Sequence, residues 1–299
     1  MAVTRISSVG LFTSDPRSVR ARQLEKAFRD LGIRVVRVLP WAVRRMVSTE
    51  RHGIVMGTED LTTLDMIVVL DLGGHDMGVF FHRVGLLTAL HDMGVEIVNP
   101  VNSILQMRNK AECMRRLVSA GLPVPETLIT ESIDEAAKFV REHAPCVLKP
   151  IMGFGGVGVQ LVQDQFDLSH ILDYLKFYGH VSGRGAYLLQ EFVNGLGFDI
   201  RALVVDGEVI STMQRVSACG IVTNIHAGGT PRVNDIDVDD IALRAAKSVR
   251  GRMVGVDIIP DNSGGLWVLE VNATPGWIGL QSVTRVDISE EIARRLSRP

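Results

Sequence analysis

The chain has 299 residues, enough for two or three α/β-sized units around a large core. A hydrophobic share of 46% with 22% charged residues is that of a globular protein, and a net charge of −2 without a block of like charge makes neither nucleic acid nor an anionic membrane an expected partner. The first residues, MAVTRISSVGLF, lack the basic start and apolar core of a signal peptide, no apolar run approaches the ~20 residues of a membrane span, and Cys113, Cys146 and Cys219 show no metal spacing, so a cytoplasmic protein with reduced thiols is expected.

In chain order, residues 3–12 read as a strand and VRARQLEKAFRDLG as an amphipathic helix closed by Gly32. IRVVRVLP is a second strand, which makes a βαβ start and a parallel sheet. LDMIVVLDL is a buried strand, followed by the loop GGHDMG, the helix VFFHRVGLLTALHDMG and the strand EIVNP. One helix is predicted over 102–120, capped by Asn102 or Ser103 and ended at Gly121. The strand PCVLKP and the loop GFGGVG come next, and from Ala186 the pattern turns β-rich, with a single helix around DVDDIALRAAKSVRGR. Three consecutive units are expected: 1–100 (α/β, on the substrate side), 101–185 (central, with a glycine flap) and 186–299 (carrying a metal site).

The most informative segment is GVDIIPDNSGGLWVLEVNATPG. Strands over 254–260 and 266–272, joined by the turn residues DNSGG, bring Asp257 opposite Glu270 and put Asn272 on the same face as Glu270. Like charges opposite each other on a sheet repel unless a cation lies between them, and hard cations such as Mg²⁺ favour oxygen-only ligands. A solvated hairpin with scattered polar groups is the plain alternative.

The loop 153–158 matches G-x-G-x-x-G, but VQLVQD after it alternates as a strand, whereas a dinucleotide fingerprint must open a helix. A flap is expected instead, with Gly155 and Gly156 letting backbone N–H groups approach phosphates. Lys149, at the end of the strand before the flap, and Lys110 are candidate phosphate ligands, a solvated surface lysine being the ordinary case. In YLLQEFV, the Glu191 carboxylate amid apolar residues calls for a donor such as an adenine amine or a ribose hydroxyl, and the backbone from Gln190 through Glu191 and Phe192 to Val193 could pair with the ring edge. Arg215, between apolar neighbours, is costly to bury without an anion and is the candidate for a transferring phosphoryl group, with a surface ion pair as the alternative.

Taken in order, Arg108-Asn109-Lys110, LKPIMGFGGVG, LLQEFV, FDIR, QR, TNIHAGG, GVDI and LEVNATPG resemble the ATP-grasp superfamily, and within it the RimK-type amino-acid ligases, over roughly residues 100–288. The resemblance implies a mixed α/β and α+β chain, an ATP-grasp fold preceded by an N-terminal α/β domain. It also implies that Lys110 and Lys149 hold ATP phosphates, that residues 190–193 read adenine, and that Asp199 lies near the ribose or base. Asp257, Glu270 and Asn272 would bind two Mg²⁺ ions (Mn²⁺ as a substitute), with Asn224 and Arg215 beside the reacting phosphate and acceptor. The segment 222–227, VTNIHA, lacks the arginines that the glutamate ligases carry around the asparagine, and LDLGGHDMG replaces their Arg-bearing loop. This leaves Asp71, His75 and Asp76 as local polar candidates, with His75 or His226 as a conceivable base.

The reading is an ATP-dependent carboxylate–amine ligase working through an acyl phosphate. Its partners would be a small-molecule or peptide carboxylate and an amino acid such as glutamate, and a homo-oligomer is expected. The alternatives are a ligase of the carrier-protein or dipeptide type, and a non-catalytic ATP sensor.

Overall fold

The computed structural model describes residues 6–48, 52–73, 76–153, 157–162, 168–182, 185–216 and 229–298. In the first unit β1 (Ser8–Phe12), α1 (Val19–Asp30) and β2 (Arg34–Val38) form the βαβ start, and a small hairpin sheet of β3 (Val43–Val47), β4 (His52–Met56) and β5 (Glu59–Asp60) follows. Then come β6 (Met66–Val69), α2 (Met77–Asp92) and β7 (Glu96–Val98). The order β2-β1-β6-β7 is parallel throughout, so the carboxyl ends of all four strands open on one side. Every position of β1 and β6 is buried, and all but Ser8 are apolar or glycine, which suits strands covered on both faces.

A single helix was expected over 102–120, and the structure breaks it in two: α3 (Val101–Arg108) and α4 (Lys110–Ser119). Asn109 is extended (ψ 99°) and its side chain accepts hydrogen bonds from the backbone of Ala111 and Glu112. An asparagine that caps N–H groups in this way competes with helix continuation, and apolar periodicity does not register the interruption. Lys110 thereby becomes the first residue of a new helix.

The second sheet has the order β10-β9-β11-β8, with β8 (Thr127–Thr130), α5 (Ile133–His143), β9 (Cys146–Lys149), β10 (Gln160–Val162), α6 (Leu168–Ser182) and β11 (Tyr187–Glu191) in chain order. β10 pairs antiparallel with β9, so the glycine loop joins two strands, as expected, and opens no helix. β11 pairs with both β9 and β8, so the second sheet runs to Glu191, past the division expected at 185/186. Its core, with Phe139, Val140, Leu148, Leu175 and Leu189, is separate from the rest.

The third sheet is antiparallel, β14-β13-β12-β15-β16, built from β12 (Phe198–Val205), β13 (Glu208–Val216), β14 (Thr230–Val233), α7 (Asp239–Ser248), β15 (Met253–Pro260) and β16 (Leu266–Asn272), and closed by α8 (Ile278–Gln281) and α9 (Ile288–Leu296). Asp206 and Gly207 both have positive φ, 46° and 76°, the turn that a two-residue hairpin between β12 and β13 requires.

The first and third units share one core, in which Phe12, Ile67 and Ile97 belong to the same cluster as Ile200, Val254 and Val271. Asn99, wholly buried, pins the joint. Its amide donates to the carbonyls of Met253 and Ala273, both at 2.7 Å, and its oxygen accepts from the N–H groups of Arg252 and Met253 at 2.7 and 2.8 Å. Each such bond contributes on the order of 1 kcal/mol, and loss of the side chain would orphan buried backbone groups as well. Among the described residues no helix is long and apolar enough to cross a membrane.

Candidate active site

Strand register assembles the site. Asp257 of β15 faces Glu270 of β16, as the hairpin reading required. On its other side Asp257 faces Arg201 of β12, and two residues back Asp199 faces Arg215 of β13. Cross-strand partners share a face, and residues two apart share a face, so Asp199, Arg201, Arg215, Asp257, Glu270 and Asn272 all project from one side of the sheet.

The repulsion between Asp257 and Glu270, which was expected to demand a metal ion, is already answered by side chains of the protein. Arg201 grips both oxygens of Asp257, the Nη2–Oδ2 bond measuring 2.8 Å. Arg215 takes both oxygens of Asp199, with Nε–Oδ1 at 2.7 Å, and reaches Asp257 Oδ2 at 3.0 Å. Arg215 and Asp199 are both almost fully buried. The anion that Arg215 was expected to need is met by this carboxylate pair, and Asp199 lies against Arg215. Gly255, directly opposite Asn272, makes the arrangement sterically feasible: a Cβ there would press on Arg201 Cδ at 3.1 Å.

Two lysines, one from α4 and one from β9, converge on the same face. Lys110 Nζ is hydrogen-bonded to Glu270 Oε2. Lys149, ending β9, donates to Gln190 Oε1 at 2.5 Å, and the Gln190 amide is held in turn by Thr127 Oγ1 at 2.9 Å. Burial raises the Glu270 carboxyl, but Lys110, Lys149 and Arg201 outweigh it and hold the group well below the usual carboxylate range. Burial likewise opposes charge on Lys110, and Glu270 overrides it. For Lys149 burial wins over the attraction of Glu270, and its ammonium is drawn down to about 8.

The donor set suits a hard cation. Asn272 Nδ2 lies 3.1 Å from Glu270 Oε1 and 3.3 Å from Asp257 Oδ2. Adjacent oxygen ligands of Mg²⁺ stand about 2.9 Å apart at metal–oxygen distances of 2.0–2.1 Å, and an amide presents its oxygen by turning over. Glu270, with 28% of its side chain exposed, is the open carboxylate, whereas Asp257 at 6% is enclosed by arginines. Among the described residues no three His, Cys, Asp or Glu side chains are grouped so that they could hold a metal ion by themselves, so the amide is needed to complete any such set. Four cations (Lys110, Lys149, Arg201, Arg215) face three carboxylates (Asp199, Asp257, Glu270), and this excess of one positive charge favours an anionic ligand.

Of the other expected site residues, Glu191 is exposed at the end of β11, so its carboxylate does not need the donor that an apolar strand had suggested. Phe192 and Val193 are half-buried just beyond it. Gly155, Gly156, Asn224, His75 and His226 lie outside the described residues. Sequence reasoning gave no role to Arg201, to the side chain of Gln190 as the holder of Lys149, or to Gly255. Arg201 carried a signal, since it is two residues from Asp199 and therefore on the same face.

Residues 107–296 match the RimK-like ATP-grasp domain. The chain is 33% identical over 241 residues to a tetrahydromethanopterin:alpha-L-glutamate ligase of Methanocaldococcus jannaschii, covering 79% of this chain and 80% of the relative. It is 32% identical over 227 residues to a ribosomal protein bS6–L-glutamate ligase of Escherichia coli O139:H28, covering 74% and 73%. The ATP-grasp ligase PsnB, solved with a minimal precursor, Mg and ADP, superposes with a TM-score of 0.72 at 21% identity over 97% of both chains, a likeness of fold.

Proposed function

We propose that this chain, which belongs to the RimK-like ATP-grasp family, is an ATP-dependent ligase that joins the amine of glutamate or a similar amino acid to a carboxylate of a cofactor, protein or peptide. The observation that carries this reading is the convergence of Lys110, from the start of α4, and Lys149, from the second sheet, on the Asp257–Glu270–Asn272 face. A substrate carboxylate oxygen attacks the γ-phosphorus of ATP, the bond to the bridging oxygen breaks, and ADP leaves. The amine nitrogen then bonds to the acyl carbon, the carbon–oxygen bond to phosphate breaks, and the amine gives up a proton.

The chain's part is positioning and charge. Lys110 and Lys149 would hold the phosphates, with Gln190 fixing Lys149. Backbone beyond β11, at Glu191, Phe192 and Val193, would meet the adenine edge, and Gly155 and Gly156 would close over the phosphates. Arg215, held by Asp199, would present a fixed guanidinium towards the transferring group, with Asn224 beside it. Glu270, Asn272 and Asp257 would hold Mg²⁺, as two ions in our reading, and bound Mg²⁺ neutralises phosphate charge. A cytoplasmic homo-oligomer is the proposed context.

The test is ADP release by purified protein with Mg-ATP, a panel of carboxylates and L-glutamate. ADP should appear only when a carboxylate and an amine are both present. Release indifferent to either would count against ligation.

The same assay gives a pH dependence. An ammonium drawn down to about 8 loses its charge as pH rises through that value, so kcat/KM for ATP should decline above about pH 8, and Lys149→Arg should abolish that decline. The linkage for stability has the opposite sign. Between about pH 8 and the ordinary lysine range the unfolded chain holds a proton that the folded chain has lost, so this group's contribution to stability rises with pH. An unchanged profile in Lys149→Arg would remove the lysine from phosphate binding.

A further inference from the structure

The carboxyl ends of β1 and β6 carry a second polar cluster that the nucleotide site does not use. Asp71, just after β6, accepts hydrogen bonds from Thr13 Oγ1 at 2.6 Å, from Ser14 N at 2.9 Å and from Ser14 Oγ. The guanidiniums of Arg20 and Arg108 lie near enough to feel its charge, and that of Arg83 lies beside Gly73. Arg83 donates to the Leu72 carbonyl and fills the space beside Gly73, where any side chain would collide with Arg83 and Ser14. Arg20 of α1 lies over the Trp277 ring, 5.6 Å from its centroid, and donates to the carbonyls of Thr274 and Pro275 at 3.4 and 2.8 Å. Those carbonyls come two and three residues after Asn272, so the cluster adjoins the catalytic hairpin. Arg108 ends α3, two residues before Lys110, and among the described residues its guanidinium has no hydrogen-bonded or ion-paired partner.

A guanidinium largely enclosed by protein without an anion is costly. Burial draws both Arg20 and Arg108 below the usual arginine range, and the charge of Asp71 opposes the shift in each. In open parallel sheets, ligands sit in the crevice outside the carboxyl ends of the strands. Asp71 retains acceptor capacity, since an ionised carboxylate has about four lone-pair positions. The cluster therefore offers a surplus of cationic donors around one acceptor, which is the complement of an amino acid carrying two carboxylates.

Resting on the ligase reading, we propose that this crevice binds the incoming amino dicarboxylate, with Arg108 and Arg20 holding its carboxylates and Asp71 facing its amino group. The test is calorimetric titration of L-glutamate into protein saturated with Mg-ADP. Wild type should bind L-glutamate at least tenfold more tightly than L-glutamine. Arg108→Ala should weaken L-glutamate at least tenfold while its Kd for Mg-ADP stays within twofold of wild type, which also shows that the variant is folded. Arg108→Lys, which keeps the charge but not the planar fork, should fall between them. L-glutamate binding unchanged in Arg108→Ala or Arg108→Lys would overturn the proposal, and so would wild type that binds Mg-ADP but not L-glutamate. Wild type that fails to bind Mg-ADP would instead defeat the ligase reading itself.

Discussion

Glu270→Gln should lower kcat for ADP release at least about a thousandfold, a barrier increase of ~4 kcal/mol, while the protein remains folded. The substitution is nearly isosteric, and the register that places residue 270 opposite Asp257 belongs to the strand backbone. What disappears is the one open carboxylate of the face, and with it the partner of Lys110. Lys110 and Lys149 would then face each other's charge without the group that both feel most strongly among nearby carboxylates. A cost of about 1–2 kcal/mol to stability is expected, because Glu270 and Lys110 are partly open to water and the desolvation is incomplete. Thermal unfolding and calorimetric binding of Mg-ADP measure the two effects separately. A variant that turns over at more than a tenth of the wild-type rate would remove Glu270 from the reacting centre.

The strongest parts of the sequence reading were those set by local rules. The DNSGG turn joins the two strands that were read there, but even pairing outward from Pro260–Leu266 would set Asp257 opposite Leu269, and it is a register shift between Asp257 and Ile258 that brings Glu270 opposite Asp257. The strand after the glycine loop was legible from period-two alternation in VQLVQD, and β10 pairs with β9. The misses have physical causes of two kinds. Asn109 ends α3 by satisfying backbone groups with its side chain, an effect invisible to apolar periodicity. The pairs Arg201–Asp257 and Arg215–Asp199, and the placement of β11 in the second sheet, depend on which strands lie side by side across many residues. Nothing local encodes that. The same holds for Arg108, Arg20 and Asp71, which come from three separate segments and act on one another electrostatically. Glu191 looked enclosed because its sequence neighbours are apolar, yet it ends its strand and points to water.

The buried ion network gives the second large effect. Arg215→Met should destabilise the protein by about 3–5 kcal/mol, because it strips the guanidinium from both oxygens of an enclosed Asp199 and leaves that charge behind. For a chain of this size, that corresponds to a fall in Tm on the order of 10 °C. Asp257 suffers less, since Arg201 still grips both its oxygens. The double variant Arg215→Met with Asp199→Leu removes the pair together and should recover more than half of the lost stability, because no uncompensated charge stays inside. It should nonetheless remain inactive. A folded protein without turnover would assign Arg215 to the reacting phosphoryl group and Asp199 to holding it in place. An Arg215→Met protein as stable as wild type would show that the network is not enclosed as described, whereas an active double variant would restrict Arg215 to a structural role. Measuring Tm and ADP release on the same three proteins separates these outcomes, since stability follows the buried charge balance and turnover follows the guanidinium alone.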